Sequence, residues 1–134
     1  MHVVAAVALL AGLGQADPIC ADLQRLSAAT ADPTAYAELY RSDFAPRLLN
    51  GCFRSDGYFC GQSMLPPDVT HETMAARIAA CLPGAEISPG EEWPGLRRTN
   101  VTGGGLRFEL AESGSERAQV GRTLKIRIRP AASR

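Results

Sequence analysis

The stretch NGCFRSDGYFCGQ, residues 50–62, decides how the rest of this chain is read. Two short runs of strand-forming residues flank Ser55-Asp56-Gly57, and the glycine supplies the positive φ of a tight turn, so a β-hairpin is predicted. Leu48 to Arg54 is expected as its first strand and Tyr58 to Met64 as its second. Loop length then sets what the two cysteines do. A three-residue loop pairs Arg54 with Tyr58 and puts Cys52 directly opposite Cys60 on one face, where a bridge is geometrically possible. A two-residue Asp56-Gly57 loop pairs Ser55 with Tyr58 and turns the cysteines to opposite faces, so that each needs a partner on a helix. Both registers stay open at this level. Neither makes a metal site, because the spacing lacks the close thiolates and second ligand pair of a zinc knuckle. It is not a C-x-x-C redox motif either. The pair reads as a structural staple.

Helices are expected on both sides of this hairpin. Asp17-Pro18 is a start signal, and Ile19, Leu23 and Leu26 recur at helical spacing over residues 18–30. Asp32-Pro33 repeats the signal, and Tyr36, Leu39 and Tyr40 mark a second amphipathic helix that ends before Pro46. After Pro66-Pro67, residues 69–82 give the strongest helical pattern, with Met74, Ile78, Cys81 and Leu82 in one stripe. Asp68 or Thr70 caps it, and Pro83-Gly84 stops it. Residues 85–95 are expected as loop with Trp93 packed, and Leu96–Thr102 as a strand. Gly103-Gly104-Gly105 is a turn into the alternating strand Leu106, Phe108, Leu110; residues 112–119 are a polar loop. Leu124, Ile126 and Ile128 alternate with Lys125, Arg127 and Arg129 in the clearest strand of the chain, which Pro130 ends. The predicted order is α-α-β-β-α-β-β-β, an α+β domain with a mostly antiparallel sheet.

The chain has 134 residues, one domain's worth. Its first sixteen, MHVVAAVALLAGLGQA, carry no Asp, Glu, Lys or Arg and close on small residues, the pattern of a secretory signal peptide rather than a membrane span. Ile19 before Cys20 does not fit a lipid-anchor signal, so a mature domain over residues 17–134 is expected, exported to a periplasm or secreted. No later segment is apolar and long enough to cross a bilayer. Export makes the four cysteines, Cys20, Cys52, Cys60 and Cys81, two disulfides of undecided pairing.

Net charge is zero but unevenly spread. Residues 17–92 hold eleven acidic and five basic side chains, whereas residues 93–134 hold three acidic and nine basic. A fold can use that polarity internally, with acidic helices against a basic sheet, or leave it for an anionic partner. The ladder Lys125, Arg127, Arg129, with Arg107 and Arg122 near it, is the candidate strip for such a partner. It lacks interleaved aromatics for stacking bases, so nucleic acid is not expected.

Catalytic motifs are scarce. His71-Glu72 starts like H-E-x-x-H, but the second histidine position is Ala75, and the other histidine, His2, lies in the leader. A metal site and a cofactor are therefore not expected. His71 can act alone as a general base with Asp68 or Glu72 nearby, yet no G-x-S-x-G nucleophile accompanies it, and a capping histidine is the simpler reading. Glu91-Glu92 beside Trp93 resembles the paired acids of sugar sites but reads as a solvated acidic loop. The glycines of VTGGGLRF lead into a strand, not into the helix a phosphate loop requires. Asn100-Val101-Thr102 is a glycosylation sequon, relevant only in a eukaryotic secretory pathway. The expected function is a small exported binding module for another exported protein, such as an inhibitor or an immunity-type protein. The alternatives are an envelope protein that uses the basic strip on anionic surfaces, or a small hydrolase built on His71.

Overall fold

The computed structural model describes residues 17–131; residues 1–16, expected as a signal peptide, lie outside the described residues. At the hairpin the three-residue loop forms. Arg54 pairs with Tyr58 and Cys52 with Cys60, and these two cysteines are bridged. Asp56 and Gly57 both take positive φ, at 53° and 91°. Asp is among the few side chains that tolerate this region and Gly is indifferent to it. A Cβ on Gly57 would also run into the Ile128 carbonyl oxygen of the neighbouring strand, so only glycine lets the turn lie against the sheet. The first hairpin strand is shorter than its apolar run suggests. Leu49 (φ 55°) and Gly51 (φ 127°) reverse the chain, with the Gly51 N–H donating to the Leu48 carbonyl, so pairing starts only at Cys52.

Among the described residues there are three helices, α1 (Ile19–Ala29), α2 (Pro33–Arg41) and α3 (His71–Cys81). They accompany six strands: β1 (Cys52–Arg54), β2 (Tyr58–Gln62), β3 (Glu86–Pro89), β4 (Arg97–Gly103), β5 (Leu106–Gly114) and β6 (Arg122–Pro130). The strands form one antiparallel sheet in the order β1-β2-β6-β5-β4-β3. This is the expected α+β class and order of elements, with one addition. Residues 86–89, expected as loop, form the edge strand β3, registered Ile87 to Val101 and Pro89 to Thr99. Its Pro89 has no N–H to offer a further strand, a usual guard on an exposed edge.

Alternation sorts the sheet's side chains into two faces. Tyr58, Cys60, Val101, Leu106, Phe108, Leu110, Leu124, Ile126 and Ile128 point to one face and are almost wholly buried. Leu23 and Leu26 of α1 and Met74, Ala75 and Ile78 of α3 cover them in one core. Helix α2 closes the β2 end, where Tyr40 and Phe44 meet the Tyr58 ring edge-on at 5.3 and 6.2 Å. Burying a large apolar side chain contributes about 1.5–3 kcal/mol, so this single layer of contacts is the main source of stability. A second disulfide, Cys20–Cys81, ties α1 to the last residue of α3. Two disulfides are consistent with an oxidising compartment. No described helix is long and apolar enough to cross a membrane. The opposite face of the sheet has no described element packed on it.

Candidate functional site

That open face is built by the outward residues of each strand. Across β5 and β6 the register sets Arg107 beside Arg129, Glu109 beside Arg127 and Ala111 beside Lys125; across β2 it sets Phe59 beside Arg127 and Gly61 beside Lys125. The strip Lys125, Arg127, Arg129 with Arg107 is therefore assembled on one surface. Its members differ in how far they are engaged. Glu109 takes Arg107 at 3.2 Å and Arg129 at 3.0 Å. Arg127 lies over the Phe59 ring at 5.0 Å and donates to the carbonyls of Ser55 and Asp56, fixing the hairpin loop. Lys125 stands between Gly61 and Ala111, is exposed, and has no ion-pair partner among the described residues. Phe53 (58% exposed) and Phe59 meet at 5.8 Å next to the cations. This pair extends the strip into a mixed aromatic and cationic patch that sequence reading did not assemble.

Arg122 is the exception to the predicted strip. It falls in phase with Leu124, Ile126 and Ile128, so it points to the core face and is buried. There it anchors a polar cluster at the start of α3. Its Nη1 donates to Glu112 at 3.0 Å and to the Val69 carbonyl at 2.7 Å, Nη2 donates to the Pro66 carbonyl at 2.7 Å, and Nε donates to Glu116 at 2.7 Å. Glu112, expected in a polar loop, is instead inside β5 and buried. It accepts from the His71 backbone N–H at 2.9 Å and from Arg97 at 3.1 Å. Burial alone would push the Glu112 carboxyl up. The hydrogen bonds from the His71 N–H, Arg122 and Arg97 outweigh it and hold the group below its ordinary value. A carboxylate also suits the positive end of a helix, so the cluster complements the Thr70–Thr73 capping box that starts α3.

His71 sits at the first turn of α3, its Nδ1 2.6 Å from the Thr99 hydroxyl on β4. A hydroxyl and an imidazole at that distance have the separation of a nucleophile and its base. The remainder of a triad is missing, because Glu112 binds the backbone of His71 and not its ring, and Thr99 is buried. Thr99 here fixes the ring. Among the described residues no three His, Cys, Asp or Glu side chains gather so as to hold a metal ion.

The same histidine separates two adjoining hollows along the β3–β4 edge. One, of about 280 Å³, lies between His71, Glu72, Ile87 and Arg98. The other, of about 330 Å³, is bounded by His71, Glu92, Trp93, Arg97 and Arg98. Trp93, expected to be packed, is 52% exposed. Its position follows from Trp93-Pro94-Gly95-Leu96: the Leu96 N–H donates to the Trp93 carbonyl at 3.0 Å, with Gly95 at φ 79°. A Pro-Gly turn of this kind fixes the backbone and leaves the indole at the corner, in solvent.

Comparison with protein-family models, with curated proteins and with solved structures finds no match, so what this chain does has to be argued from its own residues.

Proposed function

We propose that this chain is an exported binding module, periplasmic or secreted, that engages an acidic partner protein through the open face of its sheet, in the manner of an inhibitor or immunity-type protein. The leader-like first sixteen residues and the two disulfides support the compartment. The observation that carries the binding reading is the uncovered patch of Phe53, Phe59, Lys125 and Arg127, aromatic anchors flanked by cations. Aromatic and arginine side chains supply most of the energy at protein interfaces, and cations steer an acidic partner onto them.

The test is capture by the full chain from the exported fraction of its host, followed by purification of the captured protein and affinity measurement at several salt concentrations. Lys125→Glu is the informative variant, since Lys125 supports nothing in the fold. The expected result is one acidic partner whose affinity falls with added salt and drops about tenfold or more in the variant, the scale of a lost charge contact. Equal affinity of Lys125→Glu and wild type sinks the reading. Binding to anionic vesicles without any protein partner moves it to an envelope-surface role. Hydrolysis at His71 is the remaining alternative, favoured by the 2.6 Å contact with Thr99. It requires an activity that His71→Ala abolishes.

A further inference from the structure

We infer that the groove beside Trp93, at the β3 edge of the sheet, is a carbohydrate-binding site, independent of the reading above. Its starting observation is an arginine without a counterpart. Every other arginine of the sheet is engaged: Arg54 with the Tyr40 carbonyl, Arg97 and Arg122 with Glu112, Arg107 and Arg129 with Glu109, and Arg127 with the hairpin loop. Arg98 falls in phase with Asn100 and Thr102 on the outward side of β4, is half-buried, contributes to the rim of both hollows, and has no side-chain partner among the described residues. Glu92, the Trp93 indole N–H and the His71 Nε2 are likewise without a described partner, and they line the same groove.

These groups select a ligand class. Arg97 is already neutralised by Glu112, so Arg98, at the outward rim, is the one lining arginine left against the carboxylates of Glu72 and Glu92. An anion would meet those two carboxylates. An added peptide strand would need main-chain donors along β3, and few exist. The Gly90 N–H already donates inward to the Arg98 carbonyl, the register turns Ser88 and Glu86 inward as well, and Pro89 has no N–H. Only Ile87 presents an outward amide. A pyranose ring fits what remains. Its hydroxyls each donate and accept, so a planar guanidinium and a carboxylate can both be satisfied by one ring, and its C–H face is apolar enough to lie on an indole. The Pro94-Gly95 turn fixes the backbone that carries the indole before any ligand arrives, which lowers the ordering cost of binding. Each hollow lies near the lower end of the ~300–1,000 Å³ range of small-ligand sites.

Trp93 is the chain's single tryptophan, so its fluorescence reports this groove and nothing else. The experiment titrates the full chain, disulfides formed, with chitotetraose, cellotetraose and maltotetraose. An alanine–glycine tetrapeptide and tetraglutamate run beside them. A saturable change in Trp93 emission is expected with at least one oligosaccharide below about 10 mM, and none with the peptides. Arg98→Gln should weaken that binding about tenfold, as expected for one charge-assisted hydrogen bond, with an unchanged melting temperature. Trp93→Ala, followed by calorimetry, should remove it. No response to any of the three oligosaccharides overturns the inference. So does an affinity unchanged in both Arg98→Gln and Trp93→Ala. A response to the peptides alone replaces the sugar with a peptide and equally overturns it.

Discussion

Glu112 is the residue on which most of the buried polar chemistry turns. One carboxylate receives a helix N-terminus, a buried arginine and a half-exposed one, with donors at 2.9, 3.0 and 3.1 Å. Replacing it by Gln keeps the shape and leaves Arg122 buried without its inner counter-charge. We expect a loss of about 3 kcal/mol at neutral pH, the scale for breaking a buried pair, read from urea unfolding. The acid limb follows from the sign of the shift. The folded-state value of Glu112 lies below its ordinary 4.5. Its contribution is therefore complete above about pH 4.5, and it fades as pH falls toward the lowered folded value. The gap between wild type and Glu112→Gln should accordingly narrow between pH 5 and pH 3; a gap of constant size would mean that the carboxylate's charge is not the source. This residue was legible in principle. Glu112 continues the phase of Leu106, Phe108 and Leu110, and Arg122 that of Leu124, Ile126 and Ile128. Two opposite charges in phase with buried positions on neighbouring strands are the signature of an internal pair. Reading charge as exposure hides it, and for the same reason groups Arg122 with the exposed strip.

At the scale of elements, the hairpin and the long helices were readable because local chemistry decides them. Gly57 marks the turn but belongs to both candidate loops, so the register stays open in the sequence; in the structure the three-residue loop pairs Cys52 with Cys60, leaving Cys20 and Cys81 for each other. Strand β3 was not readable. Glu86-Ile87-Ser88-Pro89 has one apolar residue and a proline, and it is extended only because β4 is there to pair with it. Trp93 misled for a related reason. Tryptophan is usually buried, but here the following Pro-Gly turn overrides that tendency. The two bridges should differ in worth because they close loops of different size, with sequence separations of 61 and 8. Chain-entropy scaling gives about 4 kcal/mol for Cys20–Cys81 and about 2.5 kcal/mol for Cys52–Cys60. Paired Cys→Ala variants compared by urea unfolding test this. The hairpin double variant should stay folded with a modest loss, and the helix double variant should lose more. The reverse order would mean that the hairpin bridge supports the sheet beyond its own turn.

For the molecule as a whole, the uneven charge of the sequence is not consumed by folding. Of the described ion pairs, only Arg129–Asp56 joins the acidic first part to the basic second part; the others lie within one part. All three acids of the second part, Glu109, Glu112 and Glu116, are already engaged by arginines. The excess cations therefore remain for solvent or a partner. Apart from Arg117 in the β5–β6 loop, those of the described residues fall into two places set apart by strand order. Lys125 and Arg127 lie on β6 beside the β1–β2 hairpin, whereas Arg98 lies on β4 next to the β3 edge, with β5 between them. All three fall on the outward face, Lys125 and Arg127 over an aromatic patch and Arg98 at the rim of the groove that reaches α3. Between the two places stands Ala111 of β5, registered to Arg98 on one side and to Lys125 on the other. If each site works as proposed, they should work independently. Lys125→Glu should weaken the acidic partner and leave the response of Trp93 to oligosaccharide unaltered. Arg98→Gln should do the opposite, and a saturating sugar should not change the partner's affinity. Additivity within a few tenths of a kcal/mol is expected for charged groups two strand spacings, about 10 Å, apart. A mutual dependence of the two affinities would mean instead that the β4–β5–β6 sheet transmits strain, or that one partner, a glycosylated acidic protein, spans both places.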